Sequence, residues 1–151
     1  MLTSIGGDFW IMDNFTLTNI NGVTALTVGK DLDFWYNVNL VNINGLSALT
    51  WIGGYLSVHE SYSFVDFSGL SSLTSMGNGL DVRANPSLVS LNGLSALHSI
   101  GGSSGLTVFI NKSLIDINGL SAVTLCSQTL MDWTDLQVWV VILLFVVIPN
   151  L

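Results

Sequence analysis

One short phrase, Asn-Gly-Leu-Ser-Ala, occurs at Asn44 to Ala48, Asn92 to Ala96 and Asn118 to Ala122, with looser copies at Asn21 to Ala25 and Ser68 to Ser72. Its glycines, Gly22, Gly45, Gly69, Gly93 and Gly119, are separated by 23, 24, 24 and 26 residues. Self-similarity at such a period is the mark of a solenoid, in which each unit buries its apolar face only by stacking on its neighbours. Hairpin and helical-bundle spacings are different, so the chain reads as one array.

Within each unit an apolar-x-apolar triplet recurs as Phe9/Ile11, Leu32/Phe34, Leu56/Val58, Leu80/Val82 and Leu106/Val108. Period-2 spacing puts both apolar residues on one side of a short strand, one strand per rung. The links are rich in Gly, Ser, Thr and Asn, which favour turns over helix interiors. Further apolar columns, Leu17/Leu40/Phe64/Leu88/Leu114 and Ile20/Ile43/Phe67/Leu91/Ile117, supply the remaining walls. The expected fold is therefore all-β: a right-handed parallel β-helix, or leucine-rich-repeat-like solenoid, of about five rungs, followed by a hydrophobic C-terminal tail. The division is residues 1–126 for the solenoid and 127–151 for the tail.

Two polar columns share the period. One holds Asn14, Asn37, Ser61, Asn85 and Asn111; the other holds Asn21, Asn44, Ser68, Asn92 and Asn118. An inward-turned Asn amide can both donate and accept along a stack, satisfying turn backbone that strand pairing leaves unpaired. Both columns are expected to be such inward structural ladders. Serine interrupts each in the third rung, which also carries Phe64 and Phe67, so that rung should be locally repacked.

The segments Leu2 to Gly7 (Leu-Thr-Ser-Ile-Gly-Gly), Leu49 to Gly54 (Leu-Thr-Trp-Ile-Gly-Gly) and Leu97 to Gly102 (Leu-His-Ser-Ile-Gly-Gly) each precede a strand and an Asn-Gly-Leu turn. Over roughly residues 2 to 125 this resembles the receptor L-domain family. The resemblance implies a leucine-rich-repeat-like β-helix of the kind found as ligand-binding lobes of insulin and EGF receptors and in GPI-anchored fungal cell-wall proteins. It implies an extracellular or cell-surface location and carries no catalytic residues.

No signal peptide is read at the N-terminus, where Met1 leads straight into a repeat. An uncapped first rung predicts fraying or end-to-end self-association with another copy. At the other end Leu136 to Ile148 contains one polar residue, Gln137. A helix of that length falls short of a bilayer core of about 30 Å. The tail is thus either a remnant of an anchor, associating with a membrane, or a cap rich in β-branched residues that covers the last rung.

Charge excludes one class of partner. Three basic against ten acidic residues give a net charge of −7, which leaves no basic stripe to track nucleic acid. One cysteine, Cys126, excludes an internal disulfide and reads as a small buried hydrophobe. His59 and His98 lie in different columns, without a recurring carboxylate partner, and read as surface residues. Asp31 and Asp33 lack the remaining elements of a calcium loop, and no nucleophile, phosphate-loop or dinucleotide motif occurs. No enzyme, cofactor or metal site is expected. The acceptor-like triplets Asn14-Phe15-Thr16 and Asn111-Lys112-Ser113 fall in an inward column and should be buried.

What remains is the outer face of the strand sheet, carrying Asp8, Trp10, Met12, Asp31, Asp33, Trp35, Tyr36, Tyr55, His59, Asp81, Arg83, Phe109 and Ile110. Tryptophan, tyrosine and carboxylates together have the composition of a recognition surface, because flat rings bury much area at small entropic cost. The expected function is recognition of a protein or glycan through this face. The alternative is a purely structural or self-assembling solenoid, its rings stapling neighbouring rungs.

Overall fold

The computed structural model describes residues 4–23 and 27–125. The chain is an all-β parallel solenoid of about 4 turns. Each repeat contributes a two-residue strand and then a four-residue strand: β1 (Ser4–Ile5) and β2 (Phe9–Met12), β3 (Thr27–Val28) and β4 (Leu32–Trp35), β5 (Trp51–Ile52) and β6 (Leu56–His59). The series continues with β7 (Ser75–Met76) and β8 (Leu80–Arg83), β9 (Ser99–Ile100) and β10 (Leu106–Phe109), and ends with β11 (Thr124–Leu125). The long strands form one parallel sheet, β10-β8-β6-β4-β2, and the short ones another, β1-β3-β5-β7-β9-β11. Single 3₁₀ turns at Asn44–Leu46, Ser68–Leu70, Asn92–Leu94 and Asn118–Leu120 make the third side, stacked one on the next.

Register is in step throughout: Leu32, Leu56, Leu80 and Leu106 are neighbours down the sheet, as are Phe34, Val58, Val82 and Val108. The apolar columns read from the sequence converge on one core, in which Leu40, Ile43, Phe64, Phe67, Leu88 and Leu91 are fully buried. In the third rung Phe64 and Phe67 meet edge to face, with centroids 5.0 Å apart. The repeated glycine has a steric cause. A Cβ at Gly45, Gly69, Gly93 or Gly119 would overlap the backbone of the preceding rung, at Ile20, Ile43, Phe67 and Leu91 respectively.

The two asparagine columns differ. Asn37, Ser61, Asn85 and Asn111 are buried, and the ladder is real: Asn37, Asn85 and Asn111 donate through Nδ2 to the carbonyls of Ile11 (2.6 Å), Val58 (2.8 Å) and Val82 (2.9 Å). Their Oδ1 atoms accept from the backbone N–H groups of Asn14 (3.2 Å), Ser61 (3.0 Å) and Asn85 (3.0 Å). Asn21, Asn44, Asn92 and Asn118 are exposed, which corrects the expectation that this column turns inward. Its members start the 3₁₀ side, and their backbone N–H groups are capped from two residues back. Asn42 Oδ1 accepts from Asn44 (3.2 Å), Ser90 Oγ from Asn92 (3.0 Å) and Asp116 Oδ1 from Asn118 (3.1 Å). With that cap in place the column's side chains are free to face water. Asn14, at the head of the first column, is also exposed, so of the two acceptor-like asparagines only Asn111 is buried, and its neighbours Lys112 and Ser113 are exposed.

A third column was invisible in the sequence. Asp13, Tyr36, Glu60, Ala84 and Ile110, each just before a ladder residue, all adopt positive φ, between 52 and 57°. This left-handed corner swings the next side chain inward. The N–H groups of Asp13, Tyr36, Glu60 and Ala84 still donate to the following rung, which holds these side chains in a conformation costing about 1 to 2 kcal/mol each.

Cys126 and the whole tail, 127–151, lie outside the described residues, and with them the expectations of a cap or a membrane anchor. Among the described residues no helix is long and apolar enough to cross a membrane.

Candidate binding face

Side chains alternate along the long strands, so the residues between the buried pairs face outward in two columns. One runs Trp10, Asp33, Ser57, Asp81, Thr107 and the other Met12, Trp35, His59, Arg83, Phe109. Of the thirteen residues singled out from the sequence, eight stand in these columns, Asp8, Asp31 and Tyr55 flank them just ahead of their strands, and Tyr36 and Ile110 sit on the left-handed corner beside the sheet. Tyr36 stands edge-on between Phe15 (5.7 Å) and Tyr62 (6.3 Å), an aromatic row running down the corner. Trp10 is 60% exposed and Trp35 46%, so neither ring is a core element.

The face has two unlike halves. Toward β2 it is apolar, with the indoles of Trp10 and Trp35 and the thioether of Met12. Toward β10 it is polar and concave: Tyr55, Ser57, Leu80, Asp81, Arg83, Ser104, Gly105 and Thr107 line a cleft of about 330 Å³. Tyr55 builds one wall. Its backbone N–H donates to Asp31 Oδ1 (2.8 Å), its ring packs over Gly79, where a larger residue would collide, and its hydroxyl pairs with the Ser104 hydroxyl. Ser104 is supplied by the last repeat's longer link, which has five residues between Ile100 and Leu106 where three separate Met76 from Leu80. That link turns through Gly102 and Gly105 at φ of 68° and 64°.

Asp81 sits at the centre of the charges. Arg83 Nε donates to its Oδ1 at 2.6 Å, and His59 Nε2, from the rung before, stands 3.3 Å from its Oδ2 at ion-pair distance, outside hydrogen-bond geometry. His59 is therefore half-buried beside a carboxylate, which corrects its reading as an unpartnered surface residue; His98 is exposed. Burial opposes ionisation of Asp81, yet His59 and Arg83 outweigh it and hold the carboxyl below the usual carboxylate range. Asp33, one register position beyond Ser57, behaves oppositely. Burial raises its carboxyl above the usual range, His59 opposes the rise, and Asp31 and Asp81 add to it. Its Oδ1 is shielded from solvent without a hydrogen-bond partner.

Ser57, Ser104 and Thr107 were not singled out by sequence reasoning. Small hydroxyl residues carry no compositional signal, although the extra residues between Gly93 and Gly119 marked where a repeat protein departs from its scaffold. Among the described residues no group of three or more His, Cys, Asp or Glu is placed to hold a metal ion. Comparison with family models, with curated proteins and with solved structures finds no match to this chain.

Proposed function

We propose that the chain is a non-enzymatic recognition module of the receptor L-domain kind, at a cell surface or wall, that binds a glycan or protein through the outer face of its long-strand sheet. The observation that carries this reading is the cleft over β6, β8 and β10. There an ionised carboxylate, a guanidinium, a phenol and three hydroxyl side chains converge on a space of about 330 Å³, beside two exposed indoles. Hydroxyl-rich ligands need paired donors and acceptors held in fixed positions, and Asp81 with Arg83, two residues further along the same outward face of β8, supplies both. The indoles add flat apolar area at small entropic cost.

The test is an array of neutral and acidic oligosaccharides together with cell-surface protein extract, probed with the full chain and with Trp10→Ala, Trp35→Ala and Arg83→Ala. Each substitution should leave melting nearly unchanged, because the side chains are largely solvent-exposed, and weaken binding by about 1 kcal/mol or more. No retained ligand for the parent chain, or a large loss of melting temperature in the two tryptophan variants, would remove the basis for this reading and favour rings that only staple neighbouring rungs.

A further inference from the structure

We infer that the part of the outer face on β2 and β4 is a seat for a lysine side chain presented by a protein partner, with Asp33 beneath the ammonium group and the indoles of Trp10 and Trp35 on either side. This rests on the reading of the outer face as a binding surface and names what one part of it takes. Parallel register sets Trp10 opposite Asp33 and Met12 opposite Trp35, all four on the outward side. With strands about 4.8 Å apart and a rise of about 3.3 Å per residue, Trp10 is one strand away from Asp33, and Trp35 is about 6.6 Å along the same strand. Both indoles are exposed and Met12 is half-buried. A cation over the Asp33 carboxyl therefore lies between two rings, and an indole attracts a cation within about 6 Å of its centroid.

The other carboxylates of this face already have partners. Asp8 Oδ1 accepts the Asp31 N–H (3.1 Å), Asp31 Oδ1 accepts the Tyr55 N–H (2.8 Å), and Asp81 Oδ1 accepts from Arg83 Nε (2.6 Å). Asp33 accepts no hydrogen bond from any described residue, and its Oδ1 is shielded from solvent besides. Burial, with Asp31 and Asp81, holds its carboxyl above the usual range against the pull of His59, and a cation seated beside it would favour the ionised form and remove that penalty. A group that costs the free fold stability and gains its partner on binding behaves as a recognition residue. A slender apolar stem ending in one positive charge fits these neighbours. They are two indoles and a thioether, with no hydroxyl among them, so the four methylenes of lysine suit them, whereas an amino sugar would set its ring hydroxyls against apolar surface. The hydroxyl side chains of the face stand elsewhere, at Ser57, Ser104 and Thr107. At longer range ten acidic against three basic residues attract a basic partner.

Titration of the full chain with a glycine peptide carrying one central lysine, followed by the indole N–H signals in NMR, tests this. Binding should saturate. Acetylation of the lysine, which removes the charge and keeps the stem, should weaken it at least about tenfold, and so should Asp33→Asn. Trp10→Ala and Trp35→Ala should each weaken it about twofold or more. Asp116→Asn removes one negative charge in the last rung and keeps an oxygen to cap the Asn118 N–H, as Asn42 does for Asn44, so binding should stay within about twofold of the parent. Equal binding of the lysine and acetyl-lysine peptides, an Asp33→Asn variant as tight as the parent, or equal losses in Asp33→Asn and Asp116→Asn overturn the inference. A glucosamine oligomer that binds as tightly as the lysine peptide overturns the choice of a protein side chain. A lysine peptide that does not bind, while the parent still retains a ligand from the oligosaccharides or the cell-surface extract, removes the lysine seat and leaves the recognition role of the face standing; retention of neither removes both.

Discussion

The two asparagine columns have nearly the same composition, the same period and the same serine interruption, yet one lies inside the coil and the other in water. The difference is set by the one or two residues ahead of each column. Ahead of the buried column the chain turns a left-handed corner that aims the next side chain inward, where backbone of the neighbouring rung is within reach of the amide. Ahead of the exposed column, side chains such as Asn42 and Ser90 have already satisfied the N–H at the start of the 3₁₀ turn. Recurrence with the repeat therefore proves equivalence of position, and says nothing about which way the position faces. At the exposed column the constraint belongs to its glycine neighbour, pressed against the rung before.

This contrast can be broken most forcefully at that glycine. Gly93→Ala drives a methyl group into the Phe67 backbone and should cost about 3 kcal/mol or more in chemical denaturation, because neither backbone can yield without shifting a rung. Next is Asn85→Leu, which abandons the Val58 carbonyl and the Ser61 N–H in a dry interior; a loss of about 1 to 3 kcal/mol is expected by the same measurement.

A smaller effect, of opposite sign, is expected at Asp33, a half-buried carboxylate with one unsatisfied oxygen. Its folded pKa is raised, so the folded state favours the protonated form and loses stability as pH climbs from the ordinary carboxylate range through the raised value. Asp33→Asn should therefore stabilise the protein at neutral pH by about 1 kcal/mol or less, with the gain shrinking on acidification. Melting curves at pH 4 and pH 7 check it, and a gain that does not change with pH would contradict the assignment. Asp81 has the reverse sign: its contribution is present above the ordinary carboxylate range and is lost as pH falls through its lowered folded value. The smallest effect is reserved for Asn92→Leu. Its side chain is exposed and only its backbone N–H is used, so melting should move by less than about 0.5 kcal/mol. A loss matching that of Asn85→Leu would show the two columns to be equivalent after all.

The outer face carries a related lesson. Trp10, Trp35 and Asp81 could be placed on it from alternation alone, because strands reverse facing at every residue. The cleft could not, since its walls come from residues far apart in sequence: Tyr55 spans Gly79 to reach Ser104, two rungs away. His59 was misread for the same reason. Its carboxylate partner is Asp81 in the following rung, and no spacing within one repeat reveals a diagonal contact between two of them.

By itself the sequence determined that this chain coils, where its long strands fall and which apolar columns fill the interior; the other, two-residue strand of each rung went unread, because it is too short to carry an alternation. A period near 24 residues with alternating apolar pairs admits only a stack of parallel rungs, and each rung repeats the same local problem. Only the tertiary structure decided which polar column turns inward, why the repeated glycine cannot be replaced, and where the charged and hydroxyl side chains converge. Those outcomes depend on backbone direction at five corners occupied by residues as different as Asp, Tyr, Glu, Ala and Ile, and on contacts between rungs about 4.8 Å apart. Neither is encoded in the type of any single residue, because both arise from how one turn of the coil rests on the next.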